Sequence, residues 1–135
     1  MSTIKKSMIT YCILAVLLSG CAAVDLIPVN PMPDIGSNGY CRINDEGQLM
    51  VTVKNQGNMA ANGFDVTIEF SSVTTGAQPS IQGIDLQAGE SKDLLFDVPD
   101  SCWRPDCSFT IIIDPANLIK EGNEENNIAV GICIG

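Results

Sequence analysis

Apolar and polar residues alternate along several short stretches between residues 48 and 134. In residues 64 to 70, large apolar side chains at every second position are separated by Asp65, Thr67 and Glu69. A two-residue period of this kind is typical of a strand with one buried face. The same period predicts buried faces at Leu49, Val51 and Val53; at Ile84 and Leu86; at Leu94, Phe96 and Val98; at Phe109, Ile111 and Ile113; and at Ile128, Val130, Ile132 and Ile134.

Turn-forming residues lie between these stretches, and no segment keeps a helical period for long. Residues 40 to 43 are predicted to form the first strand, joined to the next one by a hairpin turn at residues 44 to 47. About seven short strands at this spacing predict an all-β, two-sheet sandwich in a single domain.

The N-terminal region has the features of an export signal. Lys5 and Lys6 precede the apolar stretch MITYCILAVLL, which is shorter than the roughly 20 residues that span a bilayer. The following LSGC resembles the lipobox of bacterial lipoproteins. That resemblance implies cleavage between Gly20 and Cys21, a diacylglycerol on the Cys21 thiol and fatty acylation, such as palmitate, of the new amino group. An ordinary signal peptide that happens to end near a cysteine is the alternative.

Removal of residues 1 to 20 leaves 5 basic and 16 acidic side chains, a formal charge of −11. Such a surface repels nucleic acid and anionic lipid, so neither is expected as a partner. Pro28, Pro31 and Pro33 predict an extended spacer over residues 21–32, followed by the folded domain at 33–135. Ala22 stands where some bacteria place an inner-membrane retention aspartate, which favours the outer membrane if the organism has one.

Four cysteines remain after Cys21: Cys41, Cys102, Cys107 and Cys133. An even number in a small exported domain predicts two disulfides. A Cys102–Cys107 bridge around the tight WRPD loop is favoured, which leaves Cys41 with Cys133. The alternation of the last strand argues against the second bridge, because Cys133 is then on the face opposite Ile132. A four-thiolate zinc site is the alternative, but only one close cysteine pair exists.

Catalysis is not expected. The chain has no histidine, which removes the usual general base, and it carries no nucleophile-elbow, P-loop or dinucleotide-binding motif. Two acidic neighbours such as Glu124 and Glu125 point in different directions and do not make a glycosidase pair.

The most oxygen-rich stretch is DPANLIKEGNEENN at residues 114 to 127. Its spacing does not fit an EF-hand, because neither Asp114 nor Asn117 as the first residue places oxygen ligands and glycine at all the required positions. A calcium site of another kind, made by Asp114, Glu121, Asn123 and Glu124, is a hypothesis. The favoured interpretation is a strand-to-strand connection whose polar side chains bond to nearby backbone amides.

Two further loops are candidates for function. The NQGN stretch at residues 55 to 58 is interpreted as a turn. Trp103 and Arg104 lie inside the predicted disulfide-closed loop, and these residue types are enriched at binding hot spots. They are therefore candidates for contact with a ligand. The favoured interpretation is that Trp103 folds back over the end of the core.

Several motifs resemble a known family. VTVKNQGNMAANGFDVTIEF, LQAGESKDLLF and IDPANLIKEGNEENNIAV follow one another in an order similar to that of CARDB, the bacterial cell-adhesion-related domain. The resemblance covers residues 33 to 134 and implies an immunoglobulin-like β-sandwich of surface and secreted proteins. This chain departs from the usual tandem arrangement by having one copy, a predicted lipid anchor and four additional cysteines.

These observations predict a lipid-anchored surface or periplasmic lipoprotein that works by binding or adhesion. Its expected partners are the membrane, through the anchor, and an envelope protein or polysaccharide. The alternatives are a calcium-dependent binding module and a structural accessory subunit of an envelope complex.

Overall fold

The computed structural model describes residues 22–135. The predicted signal peptide and Cys21 lie outside the described residues. Seven strands follow one another along the chain: β1 (Leu26–Val29), β2 (Gln48–Asn55), β3 (Ala61–Phe70), β4 (Ser80–Leu86), β5 (Ser91–Asp97), β6 (Cys107–Ile113) and β7 (Ile128–Cys133). Two 3₁₀ segments, Pro33–Tyr40 and Asp100–Cys102, precede β2 and β6. No helix among residues 22–135 is long and apolar enough to cross a membrane.

The strands form two antiparallel sheets with the orders β1-β2-β5 and β4-β3-β6-β7. Their inner faces enclose one apolar core, whose largest fully buried side chains include Phe64, Phe70 and Phe109. The predicted all-β, seven-strand, single-domain sandwich is therefore confirmed. Strands β2 to β6 bury the faces that their alternation predicts, because each has one polar face for solvent and one apolar face for the core.

The predicted face of β7 is wrong. Ile128 and Val130 are 58% and 61% exposed, whereas Gly131 and Cys133 face the core. The reason is space: a Cβ atom on Gly131 would lie 2.3 Å from the Phe109 ring. Only small residues fit beneath this ring, so the large aliphatic side chains of β7 occupy the outer face.

The boundary between spacer and domain also needs correction. Val24 and Leu26 are buried in the core, and β1 pairs with β2, so residues 24 to 29 of the predicted 21–32 spacer belong to the sandwich. Pro28 did not prevent a strand, because β1 is an edge strand and an edge strand tolerates proline. The predicted first strand at residues 40 to 43 is only the end of a 3₁₀ segment and one bridge from Ile43 to Leu49.

Both predicted disulfides are present, Cys102–Cys107 and Cys41–Cys133. Because Cys133 faces the core, the alternation argument against the second bridge no longer applies. Cys41 follows the first 3₁₀ segment and is not in a strand, so this bridge ties that segment to the end of β7. The zinc alternative is contradicted, since all four thiols are oxidised.

Candidate functional site

One end of the sandwich holds the start of the described chain between two polar loops. Residues 23 to 26 lie between the turn at residues 55 to 58, which follows β2, and the connection at residues 114 to 127, which joins β6 to β7. We call this arrangement the N-terminal clamp. It begins two residues after Cys21.

The turn side of the clamp is built from backbone and amide hydrogen bonds. The Ala23 N–H donates to Asn58 Oδ1 at 2.7 Å, and the Asn58 N–H donates back to the Ala23 carbonyl at 2.9 Å. Gln56 donates twice to Asp25, from its backbone N–H to the carbonyl (2.8 Å) and from Nε2 to Oδ2 (2.6 Å). Such reciprocal pairs fix the segment in register with the turn.

Gly57 makes this close approach possible. A Cβ atom at this position would lie 2.2 Å from the Ala23 carbonyl oxygen and 2.7 Å from the Asp25 nitrogen. Asn55 holds the turn from its core side. Its fully buried side chain donates to the Met59 carbonyl at 2.7 Å and accepts from the Gly57 N–H at 3.1 Å. The turn is thus shaped to receive another stretch of chain.

Glu121 dominates the other side of the clamp. One carboxylate oxygen accepts a 2.6 Å hydrogen bond from the Leu26 N–H, and the other accepts from Asn127 Nδ2. Asn126 Nδ2 donates to Asp25 Oδ1 at 2.8 Å, and the Gly122 N–H donates to the Val24 carbonyl at 3.1 Å. Side chains from a connection about a hundred residues away therefore satisfy the polar groups of the first strand.

Burial raises the pKa of the Glu121 carboxyl above its ordinary value, because the charged form loses hydration. The nearby carboxylates of Glu124 and Asp114 act in the same direction. The hydrogen bonds from Leu26 and Asn127 oppose the shift by stabilising the charged form. Glu121 is only 8% exposed, so its two hydrogen bonds supply most of its solvation.

Three of the four residues predicted to bind calcium accept local hydrogen bonds, and the fourth, Glu121, bonds to Leu26 and Asn127. Asp114 accepts from the Leu118 and Ile119 backbone amides at 3.1 and 2.8 Å. Glu124 accepts from the Glu121 N–H at 2.8 Å, and Asn123 accepts from the Glu125 N–H at 2.9 Å. These are the turn and cap contacts that the favoured interpretation of the stretch describes.

Two polar atoms of this loop lack partners. The side-chain oxygens of Asn126 and Asn127 are buried and accept no hydrogen bond from the described residues. Among residues 22–135, no three histidine, cysteine, aspartate or glutamate side chains are grouped so as to hold a metal ion. The calcium site therefore stays a prediction.

An open polar depression of about 460 Å³ lies at the surface of the clamp. It is lined by Ala23, Asp25, Gln56, Gly57, Asn58, Gly122 and Asn123. Its backbone amides and its one carboxylate, Asp25, offer hydrogen bonds to a polar group but no apolar pocket for a small molecule.

Trp103 and Arg104 lie at the opposite end of the sandwich. Their loop precedes β6, whereas residues 114 to 127 follow it, so the seven-residue strand separates the two ends by about 20 Å. Trp103 is 39% exposed and is not part of the core, and Arg104 is exposed. Because the rest of its surface is covered, both the ligand contact and the hypothesis that Trp103 folds back over the end of the core stay predictions.

Sequence reasoning missed the clamp. The turn NQGN and the stretch 114 to 127 were recognised separately as connections, but Asp25 was assigned to a spacer. A signal was present, because both connections carry more amide side chains than a turn needs. Their common partner is Asp25, which binds Gln56 from one connection and Asn126 from the other.

Comparison with known proteins agrees with this architecture. Three solved structures share the fold: a domain described as part of a cell surface protein from Methanosarcina acetivorans, and crystal and solution structures of a CARDB domain from Pyrococcus furiosus. The Methanosarcina domain has a TM-score of 0.61 at 22% identity, over 83% of this chain and 91% of its own. The Pyrococcus crystal structure has a TM-score of 0.54 at 19% identity, over 83% of this chain and 93% of its own. The Pyrococcus solution structure has a TM-score of 0.59 at 20% identity, over 84% of this chain and 95% of its own. The crystal structure is a complex with di-metal ions.

No curated protein sequence matches the chain. A family model for CARDB matches residues 24–130, which begins at the clamp and ends in β7. The match covers most of the chain, and the structural neighbours have the same sandwich. The chain therefore belongs to CARDB, a cell-surface-associated domain family.

Proposed function

We propose that this protein is a lipid-anchored envelope lipoprotein whose single CARDB sandwich binds a partner without catalysis. The lipid would be attached at Cys21, after removal of residues 1 to 20. The observation that carries the proposal is the position of the N-terminal clamp: only Ala22 separates Cys21 from Ala23, which is hydrogen-bonded to Asn58 in the described chain. The anchor would hold one defined end of the sandwich close to the membrane.

The anchor chemistry suits stable attachment. Each buried methylene contributes about 0.8 kcal/mol, so two or three acyl chains hold a protein at a membrane where one would not. Labelling with a radioactive or clickable fatty acid tests this step. Incorporation should be lost in Cys21→Ser and kept in Cys12→Ser, which alters the other cysteine of the first 21 residues. Equal labelling of both variants, or none of the wild type, would contradict the anchor.

The same geometry supports a binding end at the Trp103 loop. With the clamp at the membrane, the loop carrying Trp103 and Arg104 lies about 20 Å farther from the membrane than the clamp does. An exposed Trp next to an exposed Arg, on a loop closed by a disulfide, combines hot-spot chemistry with a small loss of loop entropy on binding. The expected partner is an envelope protein or polysaccharide outside the cytoplasm.

A pull-down from solubilised envelopes tests the binding end. The Trp103→Ala variant should lose captured material, whereas Leu95→Ala, which alters a similarly exposed aliphatic residue on β5, should retain it. Retention of all captured material by Trp103→Ala would contradict a role for this loop. A single stoichiometric envelope protein in the eluate would instead identify an accessory subunit of a complex.

The partnerless amide oxygens of Asn126 and Asn127 favour one alternative, a calcium-dependent binding module. Hard cations take carboxylate and amide oxygens, and both kinds are present in this connection. Binding would require Asp114, Glu121, Asn123 or Glu124 to give up the hydrogen bonds described above. A thermal melt in calcium should then lie several degrees above a melt in chelator. Superimposable melts would remove this alternative.

A further inference from the structure

The two disulfides lie side by side at the end of the sandwich that carries Trp103. Cys107 and Cys133 are direct register partners on β6 and β7, and their side chains face the core, where they are 1% and 2% exposed. Cys107 is bridged to Cys102, and Cys133 is bridged to Cys41. Four sulfur atoms are therefore brought together at one edge of the core.

The strand register sets the distance between the two bridges. The Ile113 N–H donates to the Asn127 carbonyl, and hydrogen-bonded pairs recur at every second residue of an antiparallel ladder. Cys107 and Cys133 therefore form a hydrogen-bonded pair, with Cα atoms about 5.5 Å apart. A disulfide spans Cα separations of about 4.4–6.8 Å, so these two residues can bond to each other without a change of register.

Such a bridge is less relaxed than the two that are present. The Cβ atoms of directly opposed residues are about 4.5–5.5 Å apart, whereas a relaxed disulfide has a Cβ separation of about 3.5–4.5 Å. A bond between Cys107 and Cys133 is therefore expected as a product of exchange and not as the resting pairing.

Access from solvent differs among the four cysteines. Cys41 is half-buried, whereas Cys102, Cys107 and Cys133 are at most 4% exposed. A thiolate attacks the accessible sulfur of a disulfide, and the other sulfur leaves as a thiolate. An external thiol is therefore directed to Cys41, and the leaving group is the Cys133 thiolate, which is released beside Cys107.

We propose that the four cysteines form a thiol–disulfide exchange relay whose substrate is an external dithiol. The dithiol attacks Cys41 Sγ, forms a mixed disulfide and displaces the Cys133 thiolate. Cys133 then attacks Cys107 Sγ, which breaks the Cys102–Cys107 bond and releases the Cys102 thiolate. The second thiol of the dithiol attacks the mixed disulfide, leaves as a cyclic disulfide and frees Cys41.

Atoms and electrons balance in this sequence. The dithiol loses two electrons and two protons and becomes a disulfide. The protein begins with two bridges and ends with one, Cys107–Cys133, together with thiols at Cys41 and Cys102. These two thiols take up the two protons of the dithiol.

One two-electron reduction thus releases two tied segments. The free Cys102 opens the loop that carries Trp103, and the free Cys41 detaches the 3₁₀ segment Pro33–Tyr40 from β7. An opened loop loses more conformational entropy on binding, so reduction should weaken capture of a partner. This effect on capture rests on the proposed binding end, whereas the exchange itself does not.

A variant with one free thiol tests the relay in the full chain. Cys41→Ser leaves the Cys133 thiol beside the Cys102–Cys107 bridge, so exchange should transfer part of that bridge to Cys107–Cys133 and free Cys102. The Cys41→Ser/Cys133→Ser variant is the matched control, because its bridge has no neighbouring thiol. We expect N-ethylmaleimide to trap Cys102 at least about tenfold more in the single variant than in the control.

Peptide mapping identifies each bridge. Cleavage before aspartate, after the free thiols have been trapped, places the four cysteines on four different peptides: Asp34–Asn44, Asp100–Pro105, Asp106–Ile113 and Asp114–Gly135. The last two peptides should be recovered as a disulfide-linked pair from Cys41→Ser and not from the control.

The wild type supplies a second measurement that does not depend on the folding of a variant. Equimolar dithiothreitol under native conditions should give the Cys107–Cys133 bridge with trapped thiols at Cys41 and Cys102. The same treatment in guanidinium chloride, where the strand register is lost, should give no enrichment of this bridge.

Absence of the Cys107–Cys133 bridge from both Cys41→Ser and the partly reduced wild type would overturn the relay. Equal shares of this bridge in native buffer and in guanidinium chloride would also overturn it, because the pairing would then owe nothing to the strand register. Neither outcome depends on fatty-acid labelling or on capture of a partner, so failure of the relay is distinguishable from failure of the proposed function.

Discussion

The carboxylate of Glu121 accepts a 2.6 Å hydrogen bond from the backbone N–H of Leu26, a residue 95 positions earlier in the sequence. This contact joins the connection before the last strand to the first strand. The second carboxylate oxygen accepts from Asn127, so one buried side chain organises both parts.

Loss of this contact should weaken the fold. In Glu121→Ala, the Leu26 N–H and the Asn127 amide lose their buried acceptor, which costs about 1–3 kcal/mol for each unsatisfied group. Glu121→Gln is the matched control: its oxygen accepts from Leu26, and its amide donates to Asn127 Oδ1 once that side chain turns over. Chemical denaturation should therefore show a large loss for Ala and about 1 kcal/mol or less for Gln. Equal losses would contradict the hydrogen-bond explanation.

The pH dependence of stability should report the same carboxyl group. Because burial raises the pKa of Glu121 in the folded state, the folded protein keeps a proton that the unfolded chain has already lost between pH 4.5 and the raised value. Across this window, stability falls as pH rises, and the contribution levels off above it. We expect the wild type to gain unfolding free energy relative to Glu121→Gln on acidification from pH 7 to 4.5. A relative loss on acidification would contradict the sign.

Gly57 tests the other side of the clamp. In Gly57→Ala, the new Cβ meets the Ala23 carbonyl oxygen at 2.2 Å, so residues 23 to 25 must move away from the turn. We expect a loss of several degrees in melting temperature and faster exchange of the Ala23 amide. Gly122→Ala is the control, since its Cβ would make an ordinary 3.4 Å contact with the Ala23 side chain. Similar melting temperatures for the two variants would contradict the close approach.

The two disulfides should contribute unequally. Cys41–Cys133 closes a loop with a sequence separation of 92, and Cys102–Cys107 one with a separation of only 5. In the chain-entropy description, the long loop is worth about 5 kcal/mol and the short one about 2 kcal/mol. The Cys41→Ser/Cys133→Ser double variant should therefore unfold at lower denaturant than Cys102→Ser/Cys107→Ser. The reverse order would show that the short bridge stabilises mainly through native contacts of its loop.

Local patterns predicted much of this fold. Strand β3 has large apolar side chains on one face and polar ones on the other, so its alternation defines the buried face without tertiary information. In β7 the large side chains face outward, because the Phe109 ring leaves room only for Gly131 beneath it. Sequence periodicity shows which residues of a strand share a face. It cannot show which face packs against an aromatic ring of a neighbouring strand and must therefore carry small residues.

The N-terminal clamp was missed for a related reason. The segment around Pro28 has the composition of a spacer, and its strand conformation depends on pairing with β2. Its polar groups are satisfied by Gln56, Glu121 and Asn126, which are distant in sequence. No local pattern around Asp25 reveals such partners.

The fluorescence of the single tryptophan, Trp103, measures the proposed orientation most directly. With the lipidated protein in vesicles, we expect brominated acyl chains to leave Trp103 emission unchanged and aqueous acrylamide to quench it, since the loop lies about 20 Å from the clamp. The double variant Trp103→Phe/Asn123→Trp moves the fluorophore to the clamp and should respond more strongly to the brominated lipid. Quenching of Trp103 by the brominated lipid would contradict a sandwich held at the membrane by its N-terminal end.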